Sequence, residues 1–233
     1  MPYDPEKQHR RSIRLRGYDY SAPGKYFVTI CVQHRQCLYG EVINGEMKLN
    51  DAGRMVEKWW RELANKFPLV DLDEHVTMPN HFHGVIVIVD RREREKDLFH
   101  ARKSKDQVAQ AMASVPEKSA PLQEIVQWFK TMTTNEYIRG VKELGWPRFD
   151  RKLWQRNYYE HIIFNLRTLR NIRQYIRANP LMWPYDRDNL ESITPDRKKI
   201  RPLLEENLGV TDEDFDFILR FDNEYHEEEE SKL

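Results

Sequence analysis

The sequence predicts an α+β fold: a ferredoxin-like, mainly antiparallel sheet with helices on one face, plus an N-terminal arm and a C-terminal helical extension. Three observations carry this expectation. Hydrophobic patterning gives the order strand, helix, strand, strand, helix, strand and a final helix, with no internal repeat. The run at 81–89, HFHGVIVIV, alternates at its start and is then continuously apolar, as a central strand should be. A length of 233 residues suits one domain with an added lobe, or two small domains.

The elements follow in order. Residues 1–20 are basic and turn-rich, with His9, Arg10, Arg11, Arg14 and Arg16 ahead of Gly17, and read as an arm. KYFVTICV at 25–32 is aromatic and β-branched, a strand. Residues 39–47 form a short hairpin around Asn44-Gly45. Asn50 or Asp51 caps a helix to about residue 66, where Met55, Trp59, Leu63 and Ala64 recur at helical spacing and Pro68 ends it. A strand over 70–78 leads to the turn signal Pro79-Asn80 and the strand at 81–89. Residues 91–120 are charged, then small and polar, and read as a loop or a partly helical excursion. Pro121 opens a helix over about 122–139, with Ile125, Phe129 and Met132 on one face, before Gly145-Trp146-Pro147 breaks the pattern. The aromatic stretch 153–164 reads as a strand. The helix after it spans about 166–178, with Leu169, Ile172 and Ile176 as its buried stripe and Pro180 as its stop. From about Thr211 an acidic amphipathic helix ends in four glutamates, expected to fray. The organisation is therefore an arm over 1–20, a main domain over 21–185 with an insertion at about 91–120, and an extension over 186–233 with an acidic tail.

Composition narrows the function. Hydrophobic residues at 39% and mixed-sign charges at 33% describe a globular chain, not a disordered one. There is no apolar run of about 18 residues and no apolar leader, so a membrane span and a secretion signal are not expected. With only Cys31 and Cys37, a disulfide framework is not expected either, and a cytoplasmic location fits. The net charge of +0 conceals an asymmetry: residues 203–233 hold twelve acids and two bases, leaving 36 bases against 26 acids elsewhere. A basic body suits a polyanionic partner. No glycine-rich phosphate loop, zinc-type cysteine pairs or nucleophilic serine elbow occurs, which removes the commoner nucleotide-handling chemistries.

Two elements can carry chemistry. On a strand, residues two apart share a face, so His81 and His83 present paired imidazoles with Phe82 opposite. With oxygen ligands such a pair can hold a divalent ion; the plain alternative is a solvated strand face. On the last long helix Tyr175 and Asn179 are four apart and share a face that Asn171 and Thr168 continue. A tyrosine there can be a covalent nucleophile, or an amphipathic residue at a core edge. Arg167, Arg170, Arg173 and Arg177, with Arg148, Arg151, Lys152, Arg156 and the arm, can track a phosphate backbone. Phe149, Trp154, Tyr158 and Tyr159 can stack on unpaired bases or fill the core, and His75 and His161 can support the histidine pair or simply be hydrogen-bonded strand residues.

Four blocks in order, GKYFVTICVQHRQCLYGE, MPNHFHGVIVI, LWQRNYYEHII and IRQYIRANP, resemble the REP-associated tyrosine transposases, members of the HUH single-strand nucleases, over roughly residues 10–185. The resemblance implies that His81 and His83 are metal ligands and that Tyr175 attacks a DNA phosphate to form a 5′-phosphotyrosine link. It places Asn179 where relatives carry a polar third ligand, often glutamine. It implies Mg²⁺ or Mn²⁺ as cofactor and single-stranded or hairpin DNA as partner, and it allows a homodimer. Tyr158 and Tyr159 are rival nucleophiles in the strand block. Arg10, Arg11, Arg14, Arg16, Arg156, Arg170, Arg173 and Arg177 are the expected DNA contacts. Two other readings stay open: a non-catalytic hairpin-DNA-binding protein or regulator on the same fold, and a replication-initiator-like nickase, which would ordinarily bring a helicase or primase region. The acidic tail could compete with DNA for the basic groove.

Overall fold

The computed structural model describes residue 15 and residues 17–101, 104–113 and 115–230. β1 (Gly24–Cys31) is followed by the hairpin of β2 (Gly40–Ile43) and β3 (Glu46–Leu49), then by α1 (Asp51–Lys66). Asn44 and Gly45 both take positive φ, 52° and 76°, the backbone of the two-residue turn expected there. Asn50 caps α1: its Oδ1 accepts from the Gly53 amide at 2.9 Å. β4 (Val70–Thr77), β5 (His81–Ile88), α2 (Arg91–His100), α3 (Lys105–Met112) and α4 (Leu122–Glu143) come next. β6 (Tyr159–Ile163), α5 (Leu166–Met182), α6 (Arg197–Leu208) and α7 (Asp212–Glu230) complete the chain.

The main sheet has the order β4-β5-β1-β6, every neighbour antiparallel. With α1 and α4 as its two crossover helices this is the expected ferredoxin-like arrangement. Strand alternation divides the core in two. Tyr26, Val28, Ile30, Phe82, Ile86 and Ile88 face α1 and α4, meeting Val56, Trp60, Leu63, Ile125 and Phe129. Position 84 shares this face, and it is glycine there because a Cβ would stand 2.5 Å from the Trp60 ring. Phe27, Val85, Tyr159 and Ile163 face the other way, against Leu169, Ile172, Tyr175 and Ile176 of α5, Ile200 and Leu204 of α6, and Phe215, Ile218 and Phe221 of α7. The C-terminal extension is thus part of a second core.

The 91–120 segment is partly helical, one of the two forms expected for it: Asp90 and Ser104 cap α2 and α3, and Val108, Met112 and Val115 form a small cluster with Leu69. Two local expectations change. The strand expected over 153–164 shrinks to β6. Trp154 makes only an isolated bridge with Val32, and its indole Nε1 donates to Thr133 Oγ1 at 2.8 Å, so packing onto α4 replaces ladder bonding. Pro180 does not stop α5, which runs to Met182. A proline in the last turn removes one helix hydrogen bond without breaking the helix that precedes it. The four glutamates of 227–230 are the last four residues of α7, while its buried Phe215, Ile218 and Phe221 lie in the first half of the helix.

Candidate active site

β5 presents His81 and His83 toward α5, their rings 4.5 Å apart between centroids and both essentially buried. Phe82 points the other way and packs 4.6 Å from the Trp60 ring, fixing which face the imidazoles take. Each histidine is held through Nδ1. Thr29 Oγ1, on the adjacent strand, hydrogen-bonds His83 Nδ1 at 2.7 Å. Asn80 Oδ1 lies 2.9 Å from His81 Nδ1. An amide oxygen only accepts, so His81 donates to it through a protonated Nδ1. Asn80 is itself fixed, its Nδ2 donating to the carbonyls of Arg35 at 3.1 Å and Asp188 at 2.7 Å.

α5 brings Tyr175 over this pair. Its ring lies 5.5 Å from His83 and 5.9 Å from Phe27, and Phe221 of α7 covers it at 5.1 Å, so that only 4% of the residue is exposed. Asn179, also buried, donates from Nδ2 to the Tyr175 carbonyl at 2.8 Å. Asn171 is buried on the same helix, while the Thr168 amide is taken by the Asn165 cap. Tyr159 shares the sheet face of the histidines but packs on Phe27 and Phe221, and Tyr158 packs against the opposite core. His161 sits on the site face, 5.3 Å from Phe221. His75 lies across the sheet against Trp60, where burial lowers its pKa. Trp154 and Tyr159 are core residues and present no open stacking surface.

Two acids that sequence reasoning passed over belong to the site. After α5 a single turn of 3-10 helix (Trp183–Tyr185) swings Asp186 and Asp188 back beneath the sheet, where both are buried. Asp186 Oδ2 is 3.7 Å from His81 Nε2, and Asp188 Oδ2 is 3.9 Å from His81 Nδ1. Arg35 Nε stands 2.7 Å from Asp188 Oδ1, and the Asp188 amide donates to Asp186 Oδ1 at 2.7 Å. Burial first, and the neighbouring Asp188 charge second, push the Asp186 carboxyl up to about 8 against the lowering effect of the Asp188 amide and Arg35. Tyr175, Asn179, Met182, Tyr185, Asp186 and Ile218 line one cavity of about 10 Å³. The sequence signal for them is the alternation Asp186-Arg187-Asp188 directly after Pro184-Tyr185, at the start of the C-terminal extension. Two imidazoles with amide and carboxylate oxygens form a donor set that suits a hard divalent ion. Among the described residues, no three His, Cys, Asp or Glu side chains are already gathered around one metal position.

The α5 arginines are engaged in ion pairs. Arg173 forks onto Asp73 at 2.8 and 2.6 Å, Arg177 reaches Glu74 at 2.7 Å, Arg170 reaches Asp214 at 2.9 Å and Arg167 reaches Glu213 at 2.5 Å. Arg148, Arg151, Lys152 and Arg156 are exposed ahead of β6. Arg10, Arg11, Arg14 and Arg16 lie outside the described residues.

The Asp73 pair gives a pH signature. Burial alone would raise the Asp73 carboxyl, but the hydrogen bonds from Arg173 and the Glu74 amide, with the guanidinium charge, hold it below its ordinary value of 3.8. A depressed folded pKa means the stabilisation is complete above that ordinary value and is lost as pH falls through the folded one. Asp73→Asn is expected to cost about 1 kcal/mol at neutral pH, because the Arg173 end of the pair reaches solvent and is partly screened. In urea unfolding the gap from wild type is expected to close as pH falls below the ordinary carboxyl value of 3.8 and through the lower folded one; a constant gap across that range would remove the ion pair from the explanation.

Fold and site together define an α+β protein whose antiparallel sheet sets a buried histidine pair against a helix tyrosine and two buried acids. The chain belongs to the same family as an uncharacterized protein of Haemophilus influenzae, to which it is 39% identical over 186 residues, covering 79% of this chain and 95% of that protein. No protein-family model matches the chain. The chain is also similar to two solved structures. A REP-associated tyrosine transposase bound to a REP hairpin is 17% identical, with 73% of each chain covered and a TM-score of 0.45. A candidate transposase from Deinococcus radiodurans is 14% identical, with 71% of this chain and 95% of that one covered and a TM-score of 0.37.

Proposed function

We propose that the chain is a tyrosine transposase of the REP-associated type, an endonuclease that binds single-stranded or hairpin DNA and cleaves and rejoins it through Tyr175. The observation that carries this reading is the meeting of Tyr175 with His83, 5.5 Å between ring centroids, from two elements far apart in sequence. The four sequence blocks supply the family; the fold supplies the meeting.

In this reading the Tyr175 phenolic oxygen attacks the scissile phosphorus. The bond from phosphorus to the 3′ oxygen breaks, the phenol gives up its proton, and the departing 3′ oxygen takes one up. The phosphotyrosine keeps the ester, so a 3′ hydroxyl can reverse the attack and rejoin strands without an added energy source. His81, His83 and an oxygen donor such as Asn179 would hold Mg²⁺ or Mn²⁺. When bound, that ion supplies positive charge against the phosphate oxygens. Thr29 and Asn80 hold the imidazoles by their Nδ1 atoms, leaving the Nε2 edges for the ligand side. Phe27 and Phe221 wall the tyrosine from water.

For DNA, the exposed Arg156 and the arm residues Arg10, Arg11, Arg14 and Arg16 are the primary phosphate contacts in this reading. Arg170 exchanges Asp214 for phosphate when α7 shifts. Arg173 and Arg177, tied to β4, set the position of α5 and contribute field. Among the described residues, no helix is long and apolar enough to cross a membrane.

The test is a labelled hairpin oligonucleotide incubated with the protein and Mn²⁺, then resolved on a denaturing gel. A covalent protein–DNA adduct is expected. Hairpin binding with neither adduct nor cleavage at any metal concentration would leave the non-catalytic reading in place. His83→Ala is expected to lose at least about a hundredfold in cleavage, with hairpin affinity changed less than about threefold, since a phosphate-charge contact acts on the reacting centre and not on the paired stem.

A further inference from the structure

We propose that residues 147–156 form a preset phosphate-binding rim for the unpaired DNA strand that leaves the hairpin, and that Lys130 of α4 is the positioning residue that fixes it. The proposal rests on the transposase reading for the partner being DNA.

The segment between α4 and β6 carries four bases, Arg148, Arg151, Lys152 and Arg156, against one acid, Asp150. All four bases are exposed. Asp150 faces His34 at 3.4 Å, and among the described residues no ion pair engages any of the four. The arginines of α5 are the contrast, since acids of β4 and α7 already hold them. Like charges gathered without a counter-charge repel one another, and a phosphate backbone relieves that repulsion.

The segment is irregular, yet it is tied along its length. Lys130, Thr133 and Tyr137 recur at helical spacing on one face of α4, and each meets it. The Lys130 ammonium donates to the carbonyls of Gln155 at 2.7 Å and Arg156 at 3.0 Å. The Trp154 indole donates to Thr133 Oγ1 at 2.8 Å, and the Tyr137 hydroxyl donates to the Pro147 carbonyl at 3.0 Å. β1 holds the other side: the Gln155 amide donates to the Cys31 carbonyl at 2.9 Å, and the Gln33 amide to the Leu153 carbonyl at 2.8 Å. Arg151 sits at φ 57°, a left-handed backbone that a non-glycine residue keeps only where its surroundings enforce it. A backbone ordered before DNA arrives removes part of the entropy cost of binding.

Lys130 is the unusual tie. Burial lowers its ammonium to about 8, and among the described residues no acid pairs with it. Its protons go to two main-chain carbonyls, which fixes the direction of the peptides that carry Arg156, as an apolar side chain could not. The rim stands at the end of the sheet where β5 begins with His81. Trp154 bridges Val32, and the Val32 amide donates to the Asn80 carbonyl at 2.8 Å, so two strand spacings, roughly 10 Å, separate the segment from the residue before His81. In the transposase reading the strand drawn to Tyr175 is unpaired, so the unpaired part of the substrate is what meets the rim.

Two labelled oligonucleotides test this on the full chain: a hairpin with a single-stranded flank, and the same hairpin trimmed to its stem and loop, each titrated at several salt concentrations. Arg148→Gln, Arg151→Gln, Lys152→Gln and Arg156→Gln combined should weaken the flanked hairpin at least about tenfold and flatten its log–log salt dependence by about two or more, since each lost single-strand phosphate contact removes about 0.7. The trimmed hairpin should change less than about threefold. Lys130→Met keeps every exposed charge and should weaken the flanked hairpin at least about threefold, while Lys130→Arg, which keeps donors for both carbonyls, should restore it. In the background of the four changed bases Lys130→Met should cost no further affinity, a non-additivity that a merely structural lysine would not show. If the combined variant fails to fold, the pairs Arg148→Gln with Arg151→Gln and Lys152→Gln with Arg156→Gln give the same comparison. Unchanged affinity and salt slope for the flanked hairpin overturn the proposal and leave the transposase reading intact. An equal loss on both oligonucleotides overturns it by giving the rim to the paired stem. Wild type that binds neither oligonucleotide overturns the proposal together with the reading beneath it.

Discussion

Tyr175→Phe is expected to abolish the covalent adduct and lower strand cleavage by at least about a thousandfold, because no other group takes over when a nucleophile is removed. The same change should cost at most about 1.5 kcal/mol of folding stability, since it conserves ring volume in a packed site. The ring would keep its contacts at 5.9 Å to Phe27, 5.5 Å to His83 and 5.1 Å to Phe221. Urea unfolding and hairpin affinity are measured on the same preparation as the adduct gel. The split between a lost reaction and a retained fold is the informative result. An adduct that survives would move the nucleophile, with Tyr159 first to be tested because it shares the histidine face of the sheet. Loss of both fold and reaction would make Tyr175 a core residue first.

How much of this was legible follows from which contacts are local. The histidine pair could be read from sequence because strand alternation is set between nearest neighbours: an apolar Phe82 committed to one core puts His81 and His83 on the other face. The Asn50 cap and the Asn44-Gly45 turn are local in the same sense. Asp186 is different. It meets His81 only because the chain turns back after α5, and no period or spacing in the sequence encodes that return. The arginines of α5 show the complementary failure. Their clustering was visible, but their partners Asp73, Glu74, Glu213 and Asp214 come from β4 and α7, so a stripe that reads as a phosphate track is in this state neutralised by acids of the same chain. Within the 91–120 insertion α2 buries no residue, so it carries no apolar stripe to read, whereas α3 buries Val108 and Met112.

Phe221→Ala carries the second large effect, and its two readouts are expected to move in opposite directions. Phe221 is 2% exposed and its ring meets those of Phe27, His161, Tyr175 and Phe217. Truncating such a ring in a core costs about 3–5 kcal/mol. α7 is the last helix of the described residues, so much of that cost should appear as easier detachment of α7 and faster amide exchange along it. If α7 must move aside for a strand to reach Tyr175, each 1.4 kcal/mol taken from its docking raises the open population about tenfold until opening is no longer limiting. Cleavage of hairpin DNA should therefore rise, by at least about tenfold, as stability falls. The charges on α7 provide the control. Glu213→Gln with Asp214→Asn releases Arg167 and Arg170 without removing an apolar contact. That double change should tighten DNA binding at low salt and lose its effect at high salt, because phosphate contacts are screened and a ring is not. If Phe221→Ala instead lowers cleavage in step with stability, α7 is a wall that positions Tyr175, and strands must enter by another route.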